Sequence, residues 1–267
     1  MGRIGRSFEL VGQSYRVLMQ DKELMMLPLI SGVMILAVAL SFFFGFRTQI
    51  ESRDQSLMFV PGFLMYLATY AIGIFFQAAV IAGATERLRG GDPTIGSALA
   101  AAGKRAGSIL AWAVVAATVG MLLRALQDRA GFIGKIVVGI IGAAWSLATF
   151  FVVPVLVLEE NSIGESFGRS VELFKKTWGE SFVGGATIGI AAFCAWLTLI
   201  AVVGLSAWAG LGIVALIIGA IGAMFLAVLF PAIQGVFVAS LYQYATAGTA
   251  PEGFDRDALS NAFVPKR

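Results

Sequence analysis

Histidine is absent from all 267 residues, and cysteine occurs once, at Cys194. The first absence removes the side chain that titrates nearest neutral pH and the commonest transition-metal ligand. The second excludes an intramolecular disulfide and argues against a thiolate metal site. Charge is scarce too, at 13% of residues, where soluble proteins carry roughly 25%. Between Glu180 and Glu252 the chain runs from Ser181 to Pro251 without one charged side chain. A charge in hydrocarbon costs about 2.5–3.5 kcal/mol, so such a gap marks membrane-buried chain. No phosphate loop, nucleophile elbow, metal-ligand motif or paired intramembrane carboxylate occurs, and no cofactor or metal is implied. Basic residues are not interleaved with aromatics as on a nucleic-acid surface.

What remains is apolar: 58% of residues are hydrophobic and the mean hydropathy is +0.87. These values describe an all-α, polytopic transmembrane bundle. Charge-free windows of spanning length lie at Leu24–Phe46, Gln55–Thr85, Ala106–Leu123, Ile136–Leu158 and Ser181–Pro251. A helix needs roughly 20 apolar residues to cross the hydrocarbon. The last window holds two spans, turning near Ala207–Gly212, although three short spans also fit by length. The expected spans are therefore 24–46, 59–85, 106–123, 136–158, 181–208 and 211–243. They make one domain of residues 1–245, and 246–267 form a short polar tail. Fourteen Lys and Arg residues lie on the side of the termini and five on the other. This asymmetry predicts both termini in the cytoplasm. The first apolar run lacks a small-residue cleavage site and reads as a retained helix.

Three segments on the predicted cytoplasmic side look alike: Ile4–Phe8, Ile95–Leu99 and Ile163–Phe167. In the third, Ile163, Phe167, Val171, Phe174 and Trp178 recur at helical spacing. Ser162 and Glu165 form a capping box ahead of it. The first repeats the pattern with Ile4, Phe8, Val11, Tyr15 and Leu18, and Asp92-Pro93 reads as the start of the second. Such amphipathic helices lie in the interface near anionic headgroups or pack beneath a bundle. The chain reads as three units, each such a helix followed by a transmembrane hairpin, either a parallel repeat or the connectors any bundle needs.

Gln77 and Gln234 are the strongly polar side chains well inside the spans. Each lies nine residues from the edge set by Glu86 or Gln243, or about 13 Å at 1.5 Å per residue. Thr149 falls near the same depth. Such a girdle lines a polar path, or it joins helices through hydrogen bonds worth roughly 0.6–2 kcal/mol. Pro154 and Pro231 kink the fourth and sixth helices, or leave carbonyls free for an ion or hydroxyl. Ala215, Gly219, Ala223 and Ala227 form a small-residue stripe, as do Gly185 and Gly189, and both signal close packing within the chain or between subunits. Glu86, Glu159 and Glu160 mark a solvated boundary or an entry site for a cation or proton.

The order Asp21-Lys22-Glu23-Leu24 before Pro28, Ala144-Trp145 before Phe150–Val155, and Phe174–Glu180 resembles a group of prokaryotic integral membrane proteins classed as a domain of unknown function. The six-helix plan is more loosely similar to the membrane domain attached to some glycerophosphodiester phosphodiesterases, whose catalytic domain this chain lacks. The resemblance implies the cytoplasmic membrane of a prokaryote and supplies no reaction. The favoured function is non-enzymatic: organising lipids, a membrane-protein partner or a second copy through the interfacial helices. The alternative is a channel or facilitator for a small solute, with its path at Gln77 and Gln234.

Overall fold

The computed structural model describes residues 3–47, 55–249, 251 and 253–254, without the side chains of 3–8, 55–59 and 177–186. Nine α-helices and no strand occur among the described residues. They are α1 (Arg3–Gln20), α2 (Met26–Gly45), α3 (Gln55–Leu88), α4 (Ile95–Lys104), α5 (Ala106–Arg129), α6 (Phe132–Ala148), α7 (Val152–Leu158), α8 (Ile163–Trp208) and α9 (Gly212–Ala247). A 3₁₀ turn, Lys22–Met25, leads into α2. Six segments are long and apolar enough to cross a membrane: Lys22–Gly45, Val60–Leu88, Ala106–Arg129, Phe132–Leu158, Thr187–Trp208 and Gly212–Ala247. This is a multi-pass, all-helical membrane protein. The last charge-free window holds two spans. They are joined through Gly210, whose φ of 79° supplies the left-handed conformation that a tight turn needs.

Two elements depart from the expected boundaries. The fourth span is two helices, α6 and α7, separated at Thr149–Phe151. The third amphipathic segment is not a separate interfacial helix, because Ile163–Trp208 is one helix of 46 residues. Its length is about 69 Å at 1.5 Å per residue, over twice the hydrocarbon thickness. No proline or left-handed cap interrupts it, so the amphipathic and spanning parts form one continuous helix. The Ser162 capping box starts it: Ser162 Oγ accepts from Glu165 N (3.4 Å), and Ser162 N donates to Glu165 Oε2 (2.8 Å). At α4 the cap is Thr94, two residues beyond Asp92, and it is paired with Ser97.

The bundle is dense at one end and open at the other. The basal end, where α1 packs on α8 and α9, contains the core. Leu10, Leu18, Leu24, Ile81, Ile109, Leu156, Leu173 and Phe237 are fully buried there. Toward the distal end large apolar side chains face outward, among them Phe132, Leu216 and Trp208, the last 89% exposed. Hydrocarbon and interface are the environments that stabilise such a surface.

The faces that α1 and α8 bury are turned from those expected. In α1 the buried residues are Leu10, Gln13, Ser14, Val17 and Leu18, whereas Tyr15 is exposed. In α8 Ser166, Ser170, Leu173 and Phe174 are buried, Ile163, Phe167 and Val171 only partly so. The Trp178 side chain lies outside the described residues, as do those of Ile4 and Phe8. Serine is small enough to sit where two helices approach closely, so the contact face includes it.

Candidate functional site

Tyr66, Tyr70, Ile74, Gln77 and Ile81 recur on one face of α3, and that face borders three cavities. A distal vestibule of about 710 Å³ lies between α3, α5 and α6, lined by Tyr66, Tyr70, Arg124, Gln127, Asp128 and Thr149 among others. A groove of about 530 Å³ lies between α2, α3 and α9, with Ser31, Gly32, Gly73, Gln77, Ala227 and Gln234 on its walls. A chamber of about 190 Å³ lies among α3, α5, α9 and the α6–α7 junction. Tyr70 lines all three, and its ring stacks on Tyr66 at 5.7 Å. Gly32 and Gly73 border open space, with nothing within 4 Å of where a Cβ would stand.

Gln77 and Gln234, 157 residues apart in sequence, both line the groove and the chamber. No hydrogen bond joins the two amides among the described residues. Thr149 lines the same chamber, but its hydroxyl donates to Trp145 O at 2.9 Å and caps its own helix. The structure thus brings the three girdle residues to one place and commits only Thr149 to a bond.

Pro154 stands in the first turn of α7, not within a continuous fourth helix. Having no N–H, it leaves Phe150 O without an i+4 donor, and its ring disfavours a helical carbonyl at that position. The helix breaks there, and Ser170 of α8 satisfies the exposed groups. Its hydroxyl donates to Ala148 O (2.7 Å) and accepts from Phe151 N (3.0 Å). The sequence reading missed Ser170, although Ser166 and Ser170 show the four-residue spacing of small residues that marks close approach. Pro231 lies inside a continuous α9 and removes the i+4 donor of Ala227 O. Phe150 and Pro154 line the chamber, Ala227 and Pro231 the groove.

The small-residue stripe of α9 divides between packing and cavity. Ala215 is buried, Gly219 faces Val203 of α8 and Ala223 is partly buried, whereas Ala227 opens to the groove. Gly189 is exposed and has nothing packed on it, so it takes no part in packing within the chain. The Gly185 side lies outside the described residues. Gly235 packs directly on Val80 of α3 and closes the basal side of the cavities.

Charged groups stay at the ends. Distally, Arg124 and Asp128 stand in the vestibule. Basally, Glu159 Oε1 accepts from Tyr242 Oη (2.8 Å) and Arg169 Nε (3.4 Å). Arg105 donates to Leu156 O, Glu159 O and Asn161 O (3.2, 3.3 and 3.4 Å), capping α7. Glu86 accepts from Ser97 Oγ at 2.9 Å. Glu86 and Glu159 therefore fasten elements together. Arg87 Nε lies 3.0 Å from Asp21 Oδ2 as an ion pair without hydrogen-bond alignment. Burial raises the Asp21 carboxyl above its ordinary value despite that neighbour. Hydrogen bonds from Ser162 hold Glu165 below the usual glutamate range. Among the described residues no three His, Cys, Asp or Glu side chains converge on a metal-sized site.

A family model described as a family of unknown function (DUF6159) matches residues 56–253. The chain belongs to that family. The match runs from the start of α3 to beyond the end of α9, so all three cavities lie within or against it. No curated protein and no solved structure matches the chain. The looser likeness to the phosphodiesterase-attached membrane domain is not shown by these comparisons.

Proposed function

We propose that the protein is a non-enzymatic facilitator that takes a small solute from the distal side into the chamber at Gln77 and Gln234. The observation that carries this reading is the convergence of both amides, unbonded to each other, on two adjoining cavities. The organising function expected from interfacial helices has less support. Of the apolar residues of α1 and α8 that would dock a partner, Leu18 and Phe174 are buried in the basal core and Val11, Ile163 and Phe167 pack against it, while Tyr15 stays exposed. The excess of basic residues near the termini supports a cytoplasmic basal end in the cell membrane of a prokaryote, with anionic headgroups beside it. Dense packing at Gly235 and Val80 then corresponds to a state closed toward the cytoplasm.

The test is solute entry into proteoliposomes, read by light scattering. At Gly73 an added Cβ meets nothing within 4 Å, so the side chain of Gly73→Leu is expected to enter the groove and obstruct it. Gln77→Leu and Gln234→Leu slow entry. Absence of flux for every solute, or flux unchanged in all three variants, would overturn the proposal.

A further inference from the structure

The walls of the groove and chamber offer hydrogen-bond acceptors and donors and no charge: Tyr70 lines both, and the indoles of Trp112 and Trp145 line the chamber. Pro154 and Pro231 each leave one main-chain carbonyl without its helical donor, at Phe150 and Ala227. One of these residues lines the chamber and the other the groove. The two carboxamides, which line both, add two acceptor oxygens and their N–H donors. No Asp, Glu, Lys or Arg lines either cavity. A charged solute would enter with its hydration lost and no counter-charge waiting, at a cost of several kcal/mol. A neutral solute with both donors and acceptors meets the opposite situation, because its hydroxyl or N–H groups reach the carbonyls the prolines left open and its oxygens reach the wall N–H groups.

Resting on the facilitator reading, we infer that the site selects a small, neutral, hydrogen-bonding solute of the polyol or urea class. The two proline-freed carbonyls, with Gln77 and Gln234, supply its acceptors. Arg124 and Asp128 belong to the vestibule and act before this selection, on whatever approaches from the distal side.

The experiment compares entry of glycerol, urea, glycerate and choline into proteoliposomes of the full chain. The expected result is faster entry of glycerol or urea than in empty vesicles, with no acceleration of glycerate or choline. Pro154→Ala and Pro231→Ala restore an N–H that pairs with Phe150 O or Ala227 O. One lost acceptor, at a net 0.5–1.5 kcal/mol per hydrogen bond, slows glycerol by about two- to tenfold. Acceleration of glycerate or choline overturns the inference, and so does unchanged glycerol flux in both alanine variants. In either case a block by Gly73→Leu leaves the facilitator reading standing. No flux for any of the four solutes in the unaltered protein overturns the inference, and flux of another solute that Gly73→Leu blocks would leave the facilitator reading standing. The selectivity series uses the unaltered chain, so it decides the matter even if a proline variant fails to fold.

Discussion

Ser170 shows how much one small side chain does here. It is fully buried and holds both a carbonyl and an N–H that the broken fourth span leaves open. An unsatisfied buried polar group costs about 1–3 kcal/mol, so Ser170→Ala, which strands two, is expected to destabilise by about 2–5 kcal/mol. A thermal melt in detergent shifted by less than a few degrees would show that the break is satisfied otherwise. Glu165 acts at the same scale by charge. Its carboxyl is held below its unfolded value, so its contribution is complete above the ordinary glutamate range and is lost as pH falls through the folded value. Amide exchange in the first turn of α8 should quicken at acid pH, and Glu165→Ala should remove that dependence.

Among the elements, the spans were legible because exclusion of charge from hydrocarbon is written directly into composition. The helix break was not. Thr149-Phe150-Phe151-Val152-Val153 reads as unbroken apolar chain, and proline within a span more commonly bends a helix than ends it. What turns a kink into a break is a hydroxyl arriving from α8, a tertiary partner that no local pattern announces. The rotated faces of α1 and α8 have a related cause, since a periodicity of large apolar residues gives serine no weight. Arg105 completes α7, a helix of 7 residues whose C-terminal carbonyls have few helical donors. Arg105→Gln is expected to cost about 1.5–3 kcal/mol, the range for hydrogen bonds to a charged group. Faster exchange confined to α7 would locate the loss, and an unchanged rate there would refute the capping role.

The whole molecule couples a dense basal half to an open distal half. Counting residues puts Gln77 and Gln234 at a common level and both line the same two cavities, but their convergence with Tyr70, Gly32 and Gly73 depends on helix placement that counting does not supply. The single cysteine gives a clean probe of the surroundings. Cys194 is exposed and lies inside the Thr187–Trp208 span. In lipid vesicles neither a charged nor a membrane-permeant maleimide should label it, because the reactive thiolate is disfavoured in hydrocarbon, until the protein is unfolded in a denaturing detergent. Rapid labelling by the charged reagent in intact vesicles would place this stretch in water.

The unbroken α8 also has a mechanical consequence. A rod of about 69 Å that tilts by about 5° carries its far end through about 6 Å. Ser170 sits on that rod and grips the α6–α7 junction, whose residues form one wall of the chamber. Tilting α8 therefore pulls on the chamber wall through that hydroxyl and through the ring contacts of Phe167 with Trp145 and of Phe174 with Phe150, so the serine that satisfies the break is also one linkage of a lever.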